Sequence, residues 1–230
     1  SRNMPRKPIF PFADSWDKSD ATPEELKSFG IWKSLARQHY DGLRSWRSRV
    51  LEVTGMVKSL NRHNGPIWYP VSMDSRSRKY YCGTPNPQGS DISKACLHMH
   101  TKLPLGKEGI YWLKVHIANS LGYDKTGFDD RVAYAEGLLD RLFGALDDVQ
   151  GQGDIFGKDS PWCAYAACWE LREAMRSGDP ESYETGIPVH MDATCSGLQH
   201  FSAIMRDDVG GLYVNLIDSS DGTKADVYSR

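Results

Sequence analysis

The stretch IPVHMDATCSGLQHFSAIMRDDVGG, residues 187–211, puts Asp192 directly after five mostly apolar residues and before the small polar run ATCSG. A carboxylate at the end of a rigid strand, with Gly and Ser letting a ligand come close, suits a hard divalent cation. Mg²⁺ takes one or two carboxylates together with substrate phosphates and water, so phosphoryl chemistry is the matching reaction class. The same aspartate also fits as the N-cap of a following helix LQHFSAIMRDD, and spacing leaves both roles open. Neighbouring candidates are bland. Cys195 and Ser196 have no base placed by sequence to activate them. His98 and His100 alternate as on a strand and His190 precedes Asp192 by two, yet no third ligand recurs at metal spacing, so these histidines are expected to be structural.

The elements that must position Asp192 are mostly helical. Residues 4–21 are rich in Pro, Asp and Ser without periodicity, which predicts an arm that needs a partner surface to become ordered. Beyond it, Thr22 is placed as an N-cap, Pro23 at the first helical position and Glu25 to close a capping box. The pattern then predicts one broken helix or two, with Gly30, Gly42 and Gly55 as weak points. Its apolar stripe (Leu43, Trp46, Val50, Val53, Val57) runs beside Arg44, Arg47 and Lys58. NGPIWYPVSMD predicts a strand before Asp74 and SRKYYCG another after it, followed by a turn-rich loop TPNPQGSD. LGKEGIYWLKVHIANSLG carries Ile110, Leu113, Ile117 and Leu121 at helical spacing, with Gly122 as C-cap. FDDRVAYAEGLLDRLFGALDDV repeats the pattern. SPWCAYAACWELREAMRSGDP starts at Ser160 with Pro161 in the first turn and stops at Gly178, and IPVHM is expected to be a buried strand.

With 230 residues and 40% hydrophobic content, the chain is long enough to bury the core of one or two domains. No apolar run approaches the roughly 20 residues needed to span a bilayer, and the N-terminus has no apolar signal core, so a soluble cytoplasmic protein is expected. The five cysteines are odd in number and include no C-x-x-C pair, which argues against a disulfide framework and a structural zinc site. A net charge of −2 conceals segregation. Residues 1–120 carry 19 Lys and Arg against 10 Asp and Glu, or +9, while residues 121–230 carry 9 against 20, or −11. The first part is suited to face phosphates and the second to supply carboxylates.

MDATCSGLQHFSAIMRDDVGG closely resembles motif A of the single-subunit DNA-directed RNA polymerases of phages and mitochondria, whose usual form reads D-G-S-C-S-G-x-Q-H-[FY]-S-A-x-x-R-D. IWYPVSMDSRSRKYY followed by NPQGSDISK is similar to the family's upstream D-x-R-G-R-x-Y and N-P-Q-G-x-D-x-x-K stretch. PLGKEGIYWLKVHIANSLGYDK and DSPWCAYAACWE match the segments between, in family order. The resemblance, covering roughly residues 67–228, implies an α+β fold class: a largely helical polymerase fragment with a small palm portion of short strands carrying motif A. It implies an N-terminal arm over 1–21, a mostly helical connecting region over 22–180 with a basic, template-facing segment at 67–125, and a partial palm over 181–230.

Residue by residue, Asp192 resembles the first of the family's two catalytic aspartates, and Ala193 would offer its backbone carbonyl to the same Mg²⁺. Lys125, ending GYDK, resembles the lysine that faces the incoming triphosphate, where an ammonium offsets phosphate charge. Tyr228 in ADVY resembles a tyrosine near the nucleotide, with a two-residue insertion before it in this chain. Arg76, Arg78 and Lys94 take the positions of basic residues along template and hybrid backbones, and Asp74 is expected to brace the arginines. Where the family has glycine in D-x-R-G-R this chain has Ser77, and Ser75 replaces its aromatic residue. Arg44, Arg47 and Arg49 either extend the basic surface or form a solvated helix face. Gln199 and His200 follow the family pattern and are expected to brace the site.

The family's second aspartate, in an H-D-S motif, and its K-x-x-x-x-x-x-Y-G helix do not occur in these 230 residues. The chain is therefore expected to be either a fragment of a longer polymerase or one subunit of a split enzyme, and it resembles the smaller subunit of a split, heterodimeric phage RNA polymerase. A second subunit carrying those motifs, DNA template, nascent RNA and ribonucleoside triphosphates are its expected partners, with no membrane, in the host cytoplasm. The expected reaction is two-metal nucleotidyl transfer. Two other classes are consistent with the residues: a noncatalytic nucleic-acid-binding module derived from a polymerase, and part of a related DNA polymerase.

Overall fold

In the computed structural model, Thr22 begins a single uninterrupted helix, α1, running Pro23–Leu60. The capping box forms as the sequence predicts: the Glu25 amide donates to Thr22 Oγ1 (3.3 Å) and the Thr22 amide to Glu25 Oε2 (2.8 Å). The predicted break does not occur. Each glycine costs about 1 kcal/mol relative to alanine, but no proline follows Pro23 within the helix, so the hydrogen-bond ladder stays intact. The arm finds its partner surface on the same helix. Phe12 stacks on Trp16 (centroids 4.3 Å apart), while Trp16 lies against Phe29 (5.2 Å) and Phe10 against Trp32 (4.9 Å), the last two within the range of favourable aromatic pairs.

The structure describes residues 7–13, 16–63, 65–157, 159–189, 195–220, 225 and 227. The chain forms two compact units, residues 1–67 and 68–230. In the second, β1 (Val71–Met73) and β2 (Lys79–Tyr81) make an antiparallel hairpin with Val71 opposite Tyr81 and Met73 opposite Lys79. A short helix α2 (Asp91–Ala95) follows, then β3 (Leu103–Pro104) and α3 (Gly106–Ser120). Gly122 just beyond takes a φ of +90°, the left-handed conformation that terminates helices with little cost only for glycine.

The stretch 128–149 is not one helix. It breaks at Gly137–Leu138 into α4 (Phe128–Glu136) and α5 (Leu139–Asp147), and α6 (Val149–Gln152) continues it. Helix α7 (Pro161–Arg176) runs through the core, and β4 (Glu184–Thr185) returns to pair antiparallel with β3. Helices α8 (Ser196–Met205) and α9 (Asp208–Tyr213) complete the described part. The fold is α+β, mostly helical, with two small antiparallel sheets among the described residues.

The core lies between α3, α4, α5 and α7. The buried face of α7 is Ala164, Ala167, Cys168, Leu171 and Ala174. Small side chains there let Leu113, Ile117, Leu142 and Leu146 interdigitate closely, and each fully buried Leu or Ile contributes about 1.5–3 kcal/mol. Among the described residues no helix is long and apolar enough to cross a membrane.

A further predicted element differs. Residues 187–189 of IPVHM are not in a strand, and Val189 is exposed. Pro188 has no N–H to give a ladder, and the Ile187 amide is taken by Thr185 Oγ1 (3.2 Å), so the strand ends at Thr185.

Candidate nucleic-acid and nucleotide site

Asp74 is the hub of the turn between β1 and β2. Its Oδ1 accepts the amides of Arg76 (2.8 Å) and Arg78 (3.0 Å), while Oδ2 accepts Nε (3.0 Å) and Nη2 (2.8 Å) of Arg76 and the hydroxyl of Tyr80 (3.1 Å). Asp74 therefore braces the turn, as expected, with Arg76 its direct partner. The Arg78 guanidinium is exposed and has no ion-pair partner among the described residues, which leaves its fork available for a bidentate phosphate contact. The backbone bond from Arg78 and the side-chain bond from Arg76 hold the Asp74 carboxyl below its usual range. A carboxylate with a depressed folded pKa stabilises fully above its unfolded value of about 3.9 and loses that contribution as pH falls through the lower folded value. The hairpin is thus expected to keep its amide shifts unchanged from pH 7 to about 4.5 and to loosen only under stronger acid, which an NMR titration of the Arg76 and Arg78 amides reads directly.

Ser77 sits in the same turn at φ +63°. Left-handed backbone costs a non-glycine residue about 1–2 kcal/mol, which supplies a local physical reason for glycine in the polymerase pattern D-x-R-G-R. Ser77→Gly is expected to stabilise the chain by about 0.5–1 kcal/mol, since glycine's greater freedom in the unfolded chain offsets part of the relief. A thermal midpoint that falls would show that Ser77 makes compensating contacts.

The loop after the hairpin is organised by two side chains from NPQG. Asn86 Oδ1 accepts the Gln88 amide (2.9 Å), and the Gln88 side chain pairs with the outer edge of β2, accepting the Tyr81 amide (2.9 Å) and donating to the Lys79 carbonyl (3.0 Å). This ties the hairpin to the segment entering α2, which carries Lys94. Lys94 is half-buried and makes no ion pair among the described residues.

Helix α2 is fixed by a long-range cap. Asp91 accepts the amides of Trp162 (2.9 Å) and Cys163 (3.0 Å), so it caps the N-terminus of α7 in place of Ser160, whose side chain makes no capping bond. The same end of α7 holds the chain leaving α3: the Ser160 amide donates to the Ser120 carbonyl (3.2 Å). The loop that follows α3 bears Lys125, which is exposed. Two turns or more further along α7, the buried Glu170 accepts the Thr185 hydroxyl (2.5 Å) and so holds β4, the last described strand on the way to Asp192. The carriers of Lys94 and Lys125 and the segment leading toward residue 192 are thus all anchored on one helix.

Asp192, Ala193, Tyr228 and His190 lie outside the described residues. Helix α8 begins at Ser196, with Cys195 as its N-cap residue. Gln199 donates to the Val214 carbonyl (2.7 Å) and braces α8 against the end of α9, whose first turn Asp207 caps through the Gly210 amide (3.0 Å). Among the described residues, no three His, Cys, Asp or Glu side chains gather as a metal site, and His98 and His100 are exposed. All five cysteines are free thiols. Burial, reinforced by Asp91, pushes the Cys163 thiol up to about 12, and burial alone pushes Cys168 up to about 12, so neither is a nucleophile at neutral pH.

Sequence reasoning passed over Gln88, Asp91, Arg131 and Glu170. Gln88 and Asp91 stand inside the motif N-P-Q-G-x-D. The signal for Glu170 and Arg131 was a charge on an otherwise apolar helix face, and both are buried.

The profile of the family DNA-dependent RNA polymerase matches residues 103–230. The chain is 49% identical over 232 aligned residues to a DNA-directed RNA polymerase of Pseudomonas phage phiKMV, covering 100% of this chain and 28% of that protein. It is 36% identical over 211 residues to T7 RNA polymerase of Escherichia phage T7 (91% of this chain, 23% of the relative). To the mitochondrial DNA-directed RNA polymerase of Homo sapiens it is 40% identical over 166 residues (71% and 13%). The chain belongs to the DNA-dependent RNA polymerase family. It spans about a quarter, or less, of the length of these relatives.

Proposed function

We propose that the chain is a working part of a DNA-directed RNA polymerase, supplying motif A and one wall of the nucleic-acid channel. In this assignment the rest of the polymerase, on the same or a second polypeptide, supplies the H-D-S and K-x-x-x-x-x-x-Y-G motifs, and the enzyme acts in the host cytoplasm. The observation that supports it best is the convergence on α7. Asp91, the Ser120 carbonyl and Thr185 attach to one rigid helix the elements that carry Lys94, Lys125 and the approach to Asp192. Sites built on a shared rigid element hold their geometry better than sites on independent loops.

In the proposed reaction the RNA 3′-hydroxyl attacks the α-phosphate of a ribonucleoside triphosphate and pyrophosphate leaves. Lys125 would neutralise triphosphate charge and Tyr228 would lie beside the nucleotide. Arg78 and Lys94 would grip template and hybrid phosphates, with Arg76 shaping the turn through Asp74. The donor set of Asp192 and the Ala193 carbonyl is all oxygen, which fits Mg²⁺. That ion, when bound, would supply charge stabilisation at the reacting phosphate.

The test is reconstitution. The chain is combined with a polypeptide carrying H-D-S and K-x-x-x-x-x-x-Y-G, and incorporation of ribonucleotides and deoxyribonucleotides on a primed template is measured. Template-dependent ribonucleotide incorporation that requires both chains is expected. Binding without synthesis would favour a noncatalytic module, and preferential deoxyribonucleotide incorporation would favour a DNA polymerase.

A further inference from the structure

Arg131, in α4, is only 4% exposed. Its guanidinium faces the loop between α3 and α4. Nη2 donates to the carbonyls of Asp124 (2.8 Å) and Thr126 (2.8 Å), Nε donates to Thr126 (3.0 Å) and Nη1 donates to Asn119 Oδ1 (2.9 Å). The two carbonyls belong to the residues on either side of Lys125. Among the described residues no carboxylate forms an ion pair with Arg131, and the Phe128 ring lies 5.0 Å from its central carbon.

A buried cation satisfied by neutral carbonyls is costly unless its donors are well engaged, so a simple packing role is poorly served by arginine here. What arginine supplies is a planar fork that reaches two backbone carbonyls at once, which a lysine cannot reproduce. The rest of the loop is equally fixed. The Tyr123 amide donates to the Ala118 carbonyl (2.9 Å), and the Tyr123 ring stacks on Tyr134 at 4.2 Å and 16°. Gly127 is the N-cap residue of α4. Lys125 stands exposed within this frame.

We propose that Arg131 is a positioning residue for the nucleotide triphosphate. By holding the carbonyls of Asp124 and Thr126, the residues that flank Lys125, it presents the lysine ammonium at a fixed place, and its own charge adds to the positive potential there. The proposal rests on the assignment of Lys125 to the triphosphate made above. Preorganisation of this kind acts on binding of the charged substrate, because a misplacement of about 1 Å can cost up to about a hundredfold.

The test uses the reconstituted polymerase with Arg131→Lys, Arg131→Met, Lys125→Met and the double variant Lys125→Met/Arg131→Lys. Arg131→Lys retains charge and stem, so it reports on the fork even where the methionine variant is too unstable to purify. The expected result is a KM for ribonucleoside triphosphate raised about tenfold in Arg131→Lys, with template affinity unchanged. The double variant is expected to be no worse than Lys125→Met alone, as for two residues acting as one unit. A raised KM in Lys125→Met beside a normal KM in both Arg131 variants would overturn the positioning role, as would effects that simply multiply. A normal KM in Lys125→Met would instead remove Lys125 from the triphosphate, and the proposal would fall with that assignment.

Discussion

Asp192→Asn is expected to lower nucleotide addition by the reconstituted polymerase by about a thousandfold or more, with template binding and association of the chains unchanged. The substitution keeps size and shape but removes the negative charge that a hard divalent cation requires, and a correctly held metal is worth several kcal/mol of transition-state stabilisation. It also separates the two roles open to this residue type. Asn is as good an N-cap as Asp, so a capping role predicts almost no effect. Single-turnover extension of a primed template reads the loss, and near-normal extension would remove Asp192 from the proposed metal site.

The second large effect is expected at Asp91. Asp91→Ala should destabilise the chain by about 2 kcal/mol, the upper part of the range for loss of a helix cap, because two amides of α7 lose their acceptor together. For a chain of this size that is a fall of about 4–8 °C in thermal midpoint. Asp91→Asn keeps an acceptor and loses only the charge that favours a helix N-terminus, worth about 0.3–1 kcal/mol, so it should fall between the two. Because α2 also carries Lys94, the alanine variant should weaken template binding although Asp91 is assigned no contact with nucleic acid. Thermal denaturation and template titration measure the two effects. An unchanged midpoint would mean that burial of Ile92, which is 7% exposed, anchors α2 without the cap.

Much of the fold was legible because its signals are local. The capping box at Thr22 and Glu25, Pro161 at the start of α7 and the left-handed Gly122 and Gly178 lie where their residue types predicted, since a cap involves residues only a few positions apart. Of the local expectations that failed, two did so for identifiable reasons. The glycines of α1 did not break it, because their cost is spread along a long ladder with no proline in its interior. IPVHM did not extend as a strand over 187–189, because Pro188 lacks a donor and Thr185 intercepts the Ile187 amide.

By itself the sequence determined which groups are available for chemistry and which periodicities they ride on: a carboxylate at 192, a lysine at 125, arginines at 76 and 78, and the helices between. The tertiary structure alone decided how the described groups are held. Arg76 is engaged by Asp74 while Arg78 is left open, Arg131 frames Lys125, and Asp91 reaches 71 residues along the chain to cap α7. Helical and strand periods encode which face of an element is apolar. They do not encode which distant amide a buried carboxylate will meet, because that meeting is fixed by the packing of α2, α3 and β4 around a single helix.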